Sequence, residues 1–165
     1  MKKFELTSET KINIFGKKLF RIKALVSFGV VKTGETGGWV EKEENVNQSG
    51  DAWVFGNAEV FGNARVSGDA WVFGNARVSG NARVSGNAEV FGNADYTTIH
   101  GFGTQFRTTT FFRCKDKQVK VSCGCFYGTI PEFREQVKNT RDGKIAEEYL
   151  MIADLMEKHF AEEAK

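Results

Sequence analysis

Residues 51–92 repeat one order of apolar and polar positions seven times without a break: DAWVFG, NAEVFG, NARVSG, DAWVFG, NARVSG, NARVSG, NAEVFG. In each hexad an alanine and a valine stand two apart, so in an extended strand their side chains leave the same face. The residue between them is Trp, Glu or Arg, and the one after valine is Phe or Ser. Those two point the other way. Gly followed by Asn or Asp closes each unit, and these residues tolerate the positive φ of a tight corner. A strand this short cannot bury its small Ala/Val face alone. Coiling does so, by stacking each strand on one a full turn later, ~4.8 Å away. NVNQSG at 45–50 reads as a degenerate copy ahead of the array, and NADYTT at 93–98 follows it.

The hexads resemble the hexapeptide repeat of left-handed β-helices, in which three hexads make one triangular coil. That resemblance implies an aliphatic column from Val54 to Val90 and a small-residue column from Ala52 to Ala88. Residues 45–98 then supply 54/18 = three coils, with part of 33–44 available for a fourth. Stacking every third hexad puts Trp53, Trp71 and Glu89 in one outward column and Phe55, Phe73 and Phe91 in the next. The second face carries Glu59 over Arg77 and Phe61 over Ser79. The third carries Arg65 over Arg83 and Ser67 over Ser85. One face is aromatic and two are polar. The aromatic residues (Trp53, Phe55, Trp71, Phe73, Phe91) form an apolar patch unsuited to water. Two covers are open for it: the chain's own C-terminal helix, or a second copy in a homodimer.

Both ends of such a prism expose strand edges and need caps. Ile12-Asn13-Ile14-Phe15, Gly16-Lys17 and Leu19-Phe20-Arg21-Ile22 read as a hairpin within Lys11–Leu25. Residues 105–125 read as a second hairpin. With Asp116-Lys117 as its turn, Cys114 pairs with Val119, Cys123 with Thr110 and Cys125 with Thr108. That register gives one buried face with cysteine as a small hydrophobe. Thr129-Ile130-Pro131-Glu132 is a capping box opening a short helix with Phe133 and Val137. Ile145, Tyr149, Ile152, Met156 and Phe160 then make a helical stripe to about Ala161. The expected fold is mainly β: a short left-handed parallel β-helix of about three coils, an N-terminal capping hairpin, and a C-terminal hairpin with two helices. Its expected segments are 1–32, 33–104 and 105–165.

The chain has 165 residues, and its turns must come from 18 glycines because there is one proline. Net charge is 23 − 21 = +2, too small to argue for nucleic acid. Its distribution is uneven, +6 over residues 1–32 and +4 over 99–130, against −3, −2 and −3 for 33–44, 45–98 and 131–165. The basic groups Lys17-Lys18-Arg21-Lys23 and Arg113-Lys115-Lys117-Lys120 match no known nucleic-acid motif, which favours plain solvation. No apolar run reaches the ~20 residues of a membrane span, and no apolar stretch follows Lys2-Lys3 to make a signal peptide. Three cysteines without export signals suit a reducing cytosol.

Stretches outside the hexads resemble a family of small hexapeptide-repeat proteins of phages and prophages. The resemblance is carried by Arg21-Ile22-Lys23-Ala24-Leu25, by Gly37-Gly38-Trp39-Val40-Glu41-Lys42-Glu43-Glu44-Asn45 and by Cys123-Gly124-Cys125-Phe126, followed by Gly128-Thr129, Glu132-Phe133, Val137 and Glu148-Tyr149-Leu150. It covers about residues 20–152 and implies architecture and a phage setting, not an activity. Where relatives show Thr-His-Gly, this chain has Thr140-Arg141-Asp142.

Left-handed β-helices also serve as carbonic anhydrases and acyltransferases. The first needs three histidines on one zinc, and this chain has two, His100 and His159. The second needs a general base in a cleft, for which His100 is the candidate, but no loop interrupts the hexads to build a pocket. Zinc on Cys114, Cys123, Cys125 and His100 is an alternative to buried thiols, although C-x8-C-x-C is not a diagnostic spacing. The expectation is therefore a non-catalytic binding protein without metal or cofactor. Its leading role is to block a bacterial defence machine, such as a Cas effector, by protein contact in the manner of an anti-CRISPR. Neither nucleic acid nor membrane is an expected partner. The alternatives are a self-assembling structural protein and an acyltransferase using His100. Glu41, Glu43, Glu44, Glu147 and Glu148 are the candidate phosphate mimics toward such a target.

Overall fold

The hexads fold into two-residue strands joined by corners in which each closing glycine from Gly50 to Gly86 has a φ between 58° and 73°. This architecture comes from a computed structural model that describes residues 1–161. The strands are β4 (Trp53–Val54), β5 (Glu59–Val60), β6 (Arg65–Val66), β7 (Trp71–Val72), β8 (Arg77–Val78), β9 (Arg83–Val84) and β10 (Glu89–Val90). They pair in parallel with strands three hexads away: Trp53 with Trp71 and Trp71 with Glu89, Glu59 with Arg77, and Arg65 with Arg83. The offset is 71 − 53 = 18 residues. Three ladders result, here the first (β4-β7-β10), second (β5-β8) and third (β6-β9) faces. Every inward Ala and Val from Ala52 to Val90 is sealed from solvent, and together they form one continuous core.

The N-terminal cap is wider than a hairpin over 11–25. Strands β1 (Phe4–Ile12) and β2 (Lys18–Ala24) pair antiparallel, and β2 pairs with β3 (Thr36–Val40). Strand β3 then joins the second face in parallel, Trp39 against Glu59 and Val40 against Val60, while Val46 bridges to Val66 on the third. Segment 36–46 thus lays a further layer of chain on the array.

At the other end the ladder stops earlier than NADYTT suggests. Asp95 turns the chain by accepting from the N–H groups of Phe91 (2.9 Å) and Gly92 (3.2 Å). Residues 96–102 form β11 (Tyr96–Phe102), which pairs antiparallel with β12 (Arg107–Arg113) and lies outside the solenoid. The boundary expected at 104 therefore falls near residue 95. Strands β13 (Val119–Cys123) and β14 (Phe126–Thr129) complete the sheet.

One face of this sheet lies on the solenoid's open end, where Phe112 and Cys114 join the Ala/Val core and Cys114 bridges Ala88. The other face, with Phe111 and Val121, packs on helices α1 (Ile130–Thr140) and α2 (Gly143–Phe160). The capping box is formed, with Thr129 Oγ1 accepting from Glu132 N at 3.3 Å and Glu132 Oε1 from Thr129 N at 3.2 Å.

The β12–β13 register differs by one residue from the expected one. Cys123 opposes Thr109 and Ser122 opposes Thr110, and Cys114 N–H reaches Gln118 O at 2.9 Å. The turn takes in an extra residue, and Lys117 occupies the left-handed region at φ 66°. Both faces of this sheet are covered, so apolar alternation could not fix which residues face which way. A slip of one sends Cys114 and Cys123 to opposite faces.

The two ends of the solenoid are closed with opposite chemistry. At the start, Lys3 Nζ donates to the carbonyls of Gly50 (3.2 Å) and Ala52 (2.8 Å), and Asn45 Nδ2 to those of Gly62 (3.2 Å) and Ala64 (2.9 Å). At the finish, acceptors meet exposed N–H groups: Asn93 Oδ1 takes Arg77 N at 2.7 Å and Thr110 Oγ1 takes Arg83 N at 3.0 Å. Edges left bare would match one another and invite stacking between copies.

Candidate functional site

The outward columns meet different fates. On the second face Glu59 is buried and held by Lys11 Nζ (3.0 Å), Arg77 Nε (3.4 Å) and Asn13 Nδ2 (3.2 Å). This network locks the N-terminal cap to the face, with the Glu59 carboxylate sealed inside it.

On the first face the aromatic column is split, which corrects its reading as one interface. Trp53 is 1% exposed, packed edge-on by Phe4 and Phe28 of the N-terminal cap. The half-buried Trp71 carries the Lys115 ammonium 3.6 Å from its ring centre. Phe55, Phe73 and Phe91 form a ladder of edge contacts in which Phe55 and Phe73 are half-buried and Phe91, at the end, is 53% exposed. The C-terminal helix covers none of it, because α2 is committed to the far side of the C-terminal sheet.

On the third face Arg65 and Arg83 stand exposed, one above the other, with Asn63 and Asn81 beside them at the corner. Among the described residues neither guanidinium has an ion pair or a side-chain hydrogen bond. The C-terminal sheet overhangs this face and turns it into a cleft of about 880 Å³. Lys42 and Glu44 bound the cleft at the start of the solenoid, and His100, Phe106, Arg107 and Thr108 bound it from the overhang. Its charged lining is four Lys/Arg against one carboxylate. A second hollow of about 480 Å³ continues it past Ser67 and Ser85 and shares Glu44, Arg65 and Arg83.

The sequence-derived candidates are dispersed. His100 is exposed on β11 with Nδ1 2.9 Å from Thr108 Oγ1, inside the cleft. The three thiols occupy three environments. Cys114 is buried, and burial pushes its thiol up to about 12, so it stays protonated. Cys123 accepts from Thr109 Oγ1 at 3.1 Å, and Cys125 is exposed at the cleft rim. Among the described residues no group of three or more His, Cys, Asp or Glu is placed to hold a metal.

The acidic candidates also separate. Glu41 Oε2 caps Gly62 N–H at 2.7 Å, and Glu43 pairs with Lys2 at 3.0 Å and Gln48 at 3.0 Å, so both serve the N-terminal cap. Glu44 is exposed in the cleft, whereas Glu147 and Glu148 lie on α2, the latter 3.7 Å from Lys144. The basic groups expected to be solvated are partly structural as well: Arg21 donates to Gly37 O and Gly56 O, and Arg113 pairs with Asp95 at 3.2 Å. The cleft itself escaped sequence reading, because Lys42, Arg65, Arg83 and Arg107 come from four distant segments. The available signal was an Arg-over-Arg column with no acidic column beside it.

Parallel ladders at an 18-residue offset, built from hexads around an Ala/Val core, make this chain a repeat β-solenoid protein, mainly β with two helices. A family model described as the YdcK beta solenoid repeat matches residues 58–74, 72–86 and 76–90. No curated protein matches the chain. No helix among the described residues is long and apolar enough to cross a membrane.

Proposed function

We propose that this chain is a non-catalytic binding protein, a left-handed solenoid of about three coils that acts through the cleft on its third face. One observation carries the reading: Arg65 and Arg83, stacked without acidic partners, face a concave space walled by the C-terminal sheet. Two like charges opposite each other on neighbouring strands cost stability. A site that keeps such a pair unneutralised suits an anionic partner. The resemblance to phage hexapeptide-repeat proteins supports a role in blocking a bacterial defence machine, such as a Cas effector, in the host cytosol. A plaque assay tests it: cells carrying such a system and expressing the chain should be infected by a phage that the system otherwise stops. Arg65→Glu with Arg83→Glu should abolish that protection. Full protection by the double variant would refute a working role for the cleft.

A second reading rests on the Phe55-Phe73-Phe91 ladder, whose exposed end suits an equivalent ladder on another copy related by a two-fold axis. Light scattering of wild type and of Phe73→Ser with Phe91→Ser checks it, a dimer becoming a monomer. The self-assembling alternative loses support from the hydrogen-bonded caps at both ends, and acyl transfer from a His100 whose ring contact is a hydroxyl.

A further inference from the structure

We infer that the third-face cleft takes a nucleotide bearing at least two phosphate groups. The inference rests on the cleft being the working surface and adds the chemistry of its ligand.

The volume speaks first. Cavities for small molecules run from ~300 to ~1,000 Å³, and at about 880 Å³ this cleft is in that range. A flat basic patch would suit an acidic protein surface, whereas a half-open cleft between two elements also admits a small ligand. The charge arrangement speaks second. Arg65 and Arg83 are rooted on paired strands, ~4.8 Å apart, so their planar guanidiniums can each grip one of two linked phosphates. Lys42 and Arg107 add charge from the two walls. Both arginines already lie free in the cleft, so no internal ion pair has to break before an anion binds.

The third observation is independent of charge. Phe106, at the mouth of the cleft, is 64% exposed and holds a left-handed backbone at φ 52°. For a bulky residue that conformation costs energy, and such strain gathers at binding sites. Its ring joins neither hydrophobic core of the C-terminal half and has no aromatic partner among the described residues. An unpartnered aromatic face beside paired guanidiniums is the arrangement that stacks a base while its phosphates are held. This departs from the expectation of no nucleic-acid contact, which rested on net charge and on clusters read along the chain. The cleft's charge is assembled across it.

Titration calorimetry of the full chain, in chelator to exclude metals, tests the inference with pyrophosphate, ATP and the dinucleotide pApA. ATP or pApA should bind about tenfold or more tightly than pyrophosphate, as one stacked base allows. Arg65→Gln and Arg83→Gln, both on exposed side chains, should weaken all three probes by about tenfold each. Phe106→Ala should weaken ATP and pApA alone, and Phe106→Tyr should restore them. No binding of any probe by folded wild type overturns the inference. So does equal binding of pyrophosphate and nucleotides that ignores Phe106→Ala, since that marks a plain anion site. The two readings fail separately. Protection in the plaque assay that needs Arg65 and Arg83 without nucleotide binding keeps the cleft and removes this ligand. Nucleotide binding with protection untouched by Arg65→Glu and Arg83→Glu does the reverse.

Discussion

The first and third faces of the solenoid share their inward alanines and valines and part company at the residue between them. On the first face that residue is Trp53, then Trp71; on the third it is Arg65, then Arg83. The N-terminal cap folds over the tryptophan at the start of the first face and leaves the arginine column open. The difference shows how a repeat whose core is uniform can assign one face to folding and another to binding. An aromatic side chain of 150–250 Å² gains roughly 4–6 kcal/mol gross when buried, which rewards any cap that covers it. Covering a guanidinium costs stability unless the cover brings hydrogen-bond acceptors, and among the described residues Arg65 and Arg83 have no ion pair.

The largest effect that separates the faces should come from Trp53→Ala. It removes a ring sealed between Phe4 and Phe28 and leaves a cavity at the junction of cap and solenoid, so unfolding free energy should fall by ~3–5 kcal/mol in a urea titration. A loss below ~1 kcal/mol would mean that the cap does not depend on the first face.

The same contrast explains what could be read along the chain. The inward columns, the three-hexad stacking, the Glu59–Arg77 pair and the capping box at Thr129 were legible, because each follows from spacing within a few residues or from a strict period. The cover over Trp53 was not, since Phe4 and Phe28 lie outside the repeat and carry no period that links them to it. The Cys114/Cys123 register failed because both sides of that sheet are buried. The cleft stayed hidden for a third reason: its floor was visible as an arginine column, but its overhang depends on where β11 and β12 leave the solenoid.

A second substitution probes what the faces share. Gly68 sits at the corner between the third and first faces with φ 64°, and a Cβ there would lie 2.9 Å from the backbone nitrogen of Gly86. Gly68→Ala combines left-handed strain with a backbone contact that cannot rotate away, so ~1–3 kcal/mol should be lost. A larger loss than for Trp53→Ala would place the corners, not the caps, as the weakest joint.

Alkaline titration offers a third, smaller test, because both ends of the first face hold a buried titratable group. Burial lowers Lys3 to about 8, with Asp51 and Asp69 pulling it back upward, while burial raises Cys114 to about 12, helped by Asp116 and opposed by Lys120. Between about 8 and 10.5 the unfolded chain holds more protons on Lys3 than the folded one does, so this group adds stability as pH rises. Cys114 acts in reverse: from 9 to about 12 the folded chain keeps a proton that the unfolded chain loses, and stability falls. Tyr96, Tyr127 and Tyr149, all raised by burial, act in the same sense as Cys114. Urea midpoints taken from pH 8 to 11 should therefore fall more steeply in Lys3→Met and less steeply in Cys114→Ala than in wild type. Parallel slopes in all three proteins would show that folding shifts the proton affinity of neither group.

The smallest effect is expected on the third face, and its sign is what matters. Arg83 stands opposite Arg65, exposed and without an ion pair among the described residues, and its backbone N–H is held by Thr110 whatever the side chain is. Arg83→Gln deletes one of two facing charges, keeps the Cβ and Cγ methylenes of the stem and disturbs no hydrogen bond of the side chain. Facing like charges on neighbouring strands oppose folding by a few tenths of a kcal/mol, so the variant should be as stable as wild type or slightly more so, within ~0.5 kcal/mol. Raising salt should shrink that gain, because screening weakens the repulsion in wild type and leaves the variant unchanged. A residue whose removal stabilises the fold while weakening ligand binding is retained for the ligand. If Arg83→Gln instead costs more than ~1 kcal/mol, the column is part of the scaffold, and the two faces differ in chemistry but not in purpose.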